Sequence, residues 1–160
     1  MSAKLSVIAI AVSSALLLSA CGGGGGGGTT AAPSSVITGT AAAGAPIIGK
    51  VTVKDDMTGP FLFRAAGTVG GRDVVYVSAA TSADVGNTIN ITPFTDLIVA
   101  NIAGMAAEQY FTNNNPSAAT LTATELSTAT TALTERIRPV LAAMGVASSI
   151  DLLRTAFNAD

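Results

Sequence analysis

The spacing of apolar residues changes character twice along the chain. Residues 5–20 form a 16-residue run rich in Ala, Val, Ile and Leu, ahead of seven consecutive glycines at 22–28. Residues 36–92 then carry short runs of β type. Val36-Ile37-Thr38-Gly39-Thr40 is a β-branched run ending in small residues, and Gly44-Ala45-Pro46 marks a turn, since Pro fixes φ and Gly tolerates positive φ. Ile47, Val51 and Val53 lie on one face of the run at 47–54, while Lys50, Thr52 and Lys54 fill the other. Such alternation predicts a half-buried strand. Asp55 to Pro60 breaks it; further runs are expected at 61–66, 73–79 and 88–92, with Val69-Gly70-Gly71-Arg72 as the turn between the first two of these.

After Thr92 the apolar period becomes helical. Thr92 as N-cap with Pro93 at the first helical position is a start signal, and Asp96 falls in the first turn, where the helix dipole favours a negative charge. Phe94, Leu97, Ile98, Asn101, Ile102 and Met105 predict one stripe on a helix reaching about Phe111, before a loop at 113–117. Thr122 and Glu125 form a capping box. Leu126, Ala129, Leu133, Ile137, Val140, Leu141 and Met144 are expected on the inner face of the following helix. Pro139 should kink it, because its ring displaces the Glu135 carbonyl, and Gly145 should end it. A last helix is expected from Ser148 or Ser149, with Ile150, Leu153, Ala156 and Phe157 facing inward. The predicted class is α+β: a β-rich segment at 36–92 and a three-helix segment at 93–160.

Composition narrows the chemistry. About 125 of the 160 residues lie beyond residue 35, enough for one domain. Aromatics are 4% with no Trp, so the core must come from Ala, Val, Ile and Leu, and it buries little area per residue. Charged residues are 11%, with eight basic against ten acidic, which attracts neither nucleic acid nor an anionic bilayer. One cysteine allows no internal disulfide, and the lack of His removes the commonest metal ligand and acid–base group.

That cysteine is the strongest motif. Lys4 gives a positive n-region, and the apolar run of 16 residues is short of the roughly 20 needed for a permanent span. It ends in Leu18-Ser19-Ala20-Cys21, which resembles the lipobox of bacterial lipoprotein precursors. The resemblance implies removal of residues 1–20 and acylation of Cys21 by several chains. At ~0.8 kcal/mol per buried CH₂, one chain holds marginally and several hold durably. The weaker alternative is an ordinary secretory signal ending near a cysteine. Gly22, where enteric lipoproteins retained in the inner membrane carry Asp, implies the outer membrane by the same resemblance. Residues 21–35 then form a tether, whose 14 or so Gly, Thr, Ala, Pro and Ser residues span roughly 20 Å root-mean-square. The G-x-G-x-x-G contained in the glycine run lacks the preceding strand and following helix of a phosphate loop.

A second resemblance concerns the body. Gly39-Thr40-Ala41, Gly44-Ala45-Pro46-Ile47 and Val51-Thr52-Val53 resemble the opening of a carboxypeptidase regulatory-like domain. This is a prealbumin-type β-sandwich, and its name implies a fold rather than a peptidase. Continued through residues 90–101, the chain resembles a group of proteobacterial lipoproteins, shortened here by about two strands after Lys54 and again near Asp160. The expected fold is therefore a small incomplete sandwich followed by helices, with an open sheet edge unless the helices cover it.

Candidate chemistry is sparse. Lys50 and Lys54 are expected on the solvent face of a strand. Asp55-Asp56 and Asp84 with Asn87 offer oxygen ligands for Ca²⁺, but their spacing fits turns better than any known loop. Glu125 reads as a cap, and Glu135, Arg136 and Arg138 as helix surface. Tyr76 and Tyr110 suit packing better than a sugar platform, and the sequon Asn90-Ile91-Thr92 is uninformative in a bacterial lipoprotein. No catalytic residue, cofactor or metal is assigned. The expected function is a membrane-anchored, non-enzymatic structural or binding module of the cell envelope, with a protein or glycan partner. The alternatives are an accessory hydrolase using carboxylates alone, marked by an acidic pair of raised pKa, or a shortened relative without independent activity.

Overall fold

The computed structural model describes residues 37–54, 59–113, 121–147 and 149–159. It is an α+β body in which a three-stranded antiparallel sheet precedes three helices. Strands β1 (Ile48–Lys54), β2 (Phe61–Val69) and β3 (Arg72–Ala80) lie in the order β1-β2-β3. The β2–β3 hairpin turns through Gly70 and Gly71, at φ 56° and 77°, the two positive values that a tight twisted turn needs. Gly49 faces Gly67 across β1 and β2; a Cβ on either would overlap backbone of the opposite strand. The pair thus permits a close approach that no other residue allows.

Phe61, Leu62 and Phe63 are all buried, as are Val77 to Ala80. Successive side chains point to opposite faces of a sheet, so this end of it is covered on both. The runs expected at 36–40 and 88–92 are not strands of this sheet. From Thr38 onward they meet each other through parallel bridges Thr38↔Thr88 and Ala41↔Ile91, which bury Ile37, Ile89 and Ile91.

The first expected helix is two. Helix α1 (Pro93–Ala103) ends at Gly104, which takes φ 65°, and α2 (Ala107–Thr112) starts afresh. Thr92 and Thr95 cap α1 reciprocally: the Thr95 amide donates to Thr92 Oγ1 at 3.2 Å, and the Thr92 amide to Thr95 Oγ1 at 2.8 Å. The buried face is Thr95, Ile98 and Val99, with Ile102 beside it, whereas Phe94 and Leu97 stand 41% and 53% exposed. The reason lies in β3. The Val77 amide donates to Asp96 Oδ1 at 2.8 Å, and the Thr95 hydroxyl donates to the Val77 carbonyl at 3.3 Å. These bonds fix which face of α1 meets the sheet, leaving Phe94 and Leu97 outside, and satisfy backbone groups of the edge strand β3.

Helix α3 (Ala123–Ala143) opens on the expected capping box, with the Glu125 amide on Thr122 Oγ1 at 3.2 Å and the Thr122 amide on Glu125 Oε2 at 3.0 Å. It continues through Pro139 and closes at Gly145, φ 72°, where Val146 N donates to Leu141 O and Gly145 N to Ala142 O. That pairing is a Schellman end. Leu126, Ala129 and Leu141 face inward, but Val140 and Met144 are exposed, while Thr130 and Thr134 are buried instead.

The last expected helix is absent. Residues 149–159 form an irregular segment with a turn at 152–154. Leu153 enters the core at 1% exposure, but Ala156 and Phe157 are exposed. The Asn90 amide takes the Leu153 carbonyl at 2.8 Å, and its side chain takes that of Thr155 at 2.7 Å. Carbonyls held by another element are not free to build a helical ladder.

Candidate functional site

Leu18, Ser19, Ala20 and Cys21 lie outside the described residues, as do Asp55 and Asp56. Within the described body the polar side chains gather in two places. The first forms where β3 ends. Thr81 precedes a single 3-10 turn, Ser82–Asp84, and Asp84 Oδ2 accepts from the Thr81 amide at 2.8 Å and its hydroxyl at 3.0 Å. Asp84 Oδ1 receives Arg154 Nε at 2.7 Å, and Arg154 Nη1 reaches Asp151 Oδ2 at 3.2 Å. Asp84 is buried, and burial pushes its carboxyl up; the bonds from Arg154 and Thr81 outweigh this and hold it below the ordinary carboxylate range. Arg154 is shifted upward, chiefly by its bond to Asp84. The expected turn role of Asp84 therefore holds, but its main partner is a distant cation. Asn87 donates to the Ala83 carbonyl instead of joining it.

Beside this node a hollow of about 240 Å³ lies between α3 and the C-terminal segment. On α3 it is lined by Ser127, Thr130, Thr131, Thr134 and Glu135, and across from them by Ser149, Ile150, Asp151 and Arg154. Spacing of three, four and seven residues places the four hydroxyls on one stripe of the helix. Thr130 Oγ1 donates to the Leu126 carbonyl at 2.7 Å and Thr134 Oγ1 to the Thr130 carbonyl at 2.9 Å. Their protons are committed to the helix, leaving lone pairs as what these two hydroxyls have left to offer.

The second cluster lies where the sheet meets α2. Arg64 Nε bonds both carboxylate oxygens of Glu108, at 3.0 and 2.8 Å. Asp96 is shifted upward, first by burial and then by the like charge of Glu108, against the lowering effect of the Val77 amide. Among the described carboxylates Asp96 is the one shifted upward, with Glu108 as its like-charged neighbour, the combination a carboxylate hydrolase would use. Each member already has a structural partner, Val77 for Asp96 and Arg64 for Glu108. Lys54 corrects an expectation. Its ammonium donates to the carbonyls of Phe111 and Asn113, at 2.5 and 2.9 Å, and stands 5.5 Å from the centre of the Phe111 ring. It closes the C-terminus of α2, where unpaired carbonyls attract a cation.

Lys50, Arg136 and Arg138 are exposed as expected, Arg138 pairing with Glu135. Tyr110 is buried and Tyr76 half-buried against the core, so both pack. Among the described residues no three His, Cys, Asp or Glu gather as metal ligands, and no helix is long and apolar enough to cross a membrane. Arg154, Thr130 and Thr134 carry the site yet drew no notice in the sequence. The spacing Asp151-x-x-Arg154 and the hydroxyls at 130 and 134, one turn apart, were the available signals. Comparison with family models, curated proteins and solved structures finds no match to this chain.

Proposed function

We propose that this is a lipid-anchored protein of the bacterial cell envelope, whose body serves as a non-enzymatic structural or binding module. The observation that carries the reading is Leu18-Ser19-Ala20-Cys21, set between an apolar run and a glycine tether. A signal ending in two small residues before the only thiol fits cleavage and acylation at Cys21. Several acyl chains hold the body at the membrane surface, and the tether lifts it off the headgroups. Gly22 favours the outer membrane. The body is read as a shortened prealbumin-type domain, a reading supported by the antiparallel order β1-β2-β3. The test is palmitate labelling with membrane fractionation of wild type and Cys21→Ala. Wild type is expected labelled and membrane-bound, and the variant unlabelled and uncleaved. Wild type released in solution with an unmodified thiol, by mass spectrometry, overturns the reading.

A further inference from the structure

The two edges of the sheet are treated differently. At β3 the amide and the carbonyl of Val77 are taken by Asp96 and Thr95 of α1. At β1, among the described residues, no backbone group outside the sheet bonds Ile48 to Lys54. Ile48 stands 78% exposed there, beside exposed Gly49, Lys50 and Thr52. The Ile47 amide, one residue ahead, donates to the Ala41 carbonyl and so points away from β2. Alternation along an antiparallel strand then turns the amides and carbonyls of Gly49, Val51 and Val53 outward as well. The close approach of Gly49 to Gly67 agrees, since pairs without mutual hydrogen bonds have the shorter Cα separation.

An unpaired edge is a template for another strand. The lysines of β1 select which strand and which register. When β1 pairs antiparallel with its own copy, a twofold axis at Lys50 sets that residue against the partner's Lys50. An axis at Thr52 sets Lys50 against the partner's Lys54. Like charges directly opposite repel, so both registers are disfavoured. An axis at Val51 puts Lys50 opposite the partner's Thr52 and Lys54 opposite the partner's Ile48. It also joins Val51 to the partner's Val51 and Gly49 to the partner's Val53, the residues whose backbone groups point outward. Val51 and Val53, half-buried against the core, gain apolar neighbours in the same step. We propose that this chain pairs with a second copy through β1, antiparallel and centred on Val51, joining the two sheets into one. The axis consumes the β1 edge of each copy, so assembly closes at a dimer. The pairing rests on the sheet and not on the anchor at Cys21.

The test is sedimentation equilibrium with amide exchange on the full chain in detergent, which dissolves it with or without lipid on Cys21. One strand pair buries less than a standard interface, so a dissociation constant of about 10–500 µM is expected. Exchange at Gly49, Val51 and Val53 should slow as concentration rises through that range. Thr52→Lys, at an exposed position, sets a lysine against the partner's Lys50 on both sides of the axis and should weaken the dimer about threefold or more. Adding Lys50→Glu turns that repulsion into attraction and should restore wild-type affinity or exceed it. Arg64, opposite Thr52 on β2, acts within each copy, so its effect on these variants is independent of concentration. A wild type that stays monomeric to about 1 mM overturns the proposal. So does association that leaves exchange at those three amides unchanged, or a Thr52→Lys loss that Lys50→Glu does not reverse. Palmitate labelling reports the anchor separately, so failure of the dimer is distinguished from failure of the lipoprotein reading.

Discussion

Half-buried Asp96 and buried Asp84 illustrate opposite fates for a carboxylate taken out of water. Asp96 offers an oxygen to the Val77 amide, but burial and Glu108 make its charge costly. Asp96→Asn keeps an acceptor and drops the charge, so thermal unfolding at pH 7 should show unchanged stability or a gain of up to about 1 kcal/mol. Asp96→Ala strands the amide and should lose about 1–3 kcal/mol. Asp84 is held down by Arg154, and removing one member of such a pair leaves the other uncompensated. Arg154→Met should cost about 3 kcal/mol by urea unfolding at pH 7. The two carboxylates also differ in sign with pH. The Asp84 contribution is present above the unfolded value near ~4 and is lost as pH falls through its lower folded value. Asp96, raised in the fold, binds its proton more tightly there than in the unfolded chain. Its contribution therefore falls as pH rises from ~4 through the folded value. A urea titration across pH 2–7 should lose the acid-side decline in Asp84→Asn and the opposing limb in Asp96→Asn.

At the level of elements, two contacts decide whether short pieces hold. Gly67 has Gly49 opposite it, and Gly67→Ala would drive a methyl into the Ile48 carbonyl. The expected outcome is a loss of about 2 kcal/mol or more, with faster amide exchange confined first to β1. Helix α2 has only six residues, too few to stand without tertiary support, and Lys54 supplies part of it. Lys54→Met should preserve the sheet and raise hydrogen exchange at Tyr110 to Asn113; an unchanged exchange pattern would refute the capping role. Strands β1 to β3 and the starts of α1 and α3 were legible beforehand because their signals are local. The Gly70-Gly71 turn, the Thr92 N-cap followed by Pro93 and the Thr122–Glu125 box each involve residues at most three apart. The facing of α1 was not legible, because two bonds to Val77 outweigh the exposure of Phe94 and Leu97.

For the whole molecule, the C-terminal segment is the element that closes the body. Leu153 fills the core, Asn90 holds two of the segment's carbonyls, and Thr40 reaches the Phe157 carbonyl at 3.3 Å. Leu153→Ala should cost about 2–5 kcal/mol in chemical denaturation, more than any surface change on α3. The same segment walls the hollow beside α3.

What the sequence determined by itself is whatever neighbouring residues can specify: the three strands and the Gly70-Gly71 turn, the change to helical period after Thr92, and the capped starts of α1 and α3. Tertiary structure alone decided which face of α1 is buried, why Lys54 turns inward, and why residues 149–159 are not a helix. The physical reason is separation along the chain. Asn90 and Thr155 are 65 residues apart, and Asp84 and Arg154 are 70 apart. No local pattern encodes a partner that only the folded chain brings within hydrogen-bonding distance.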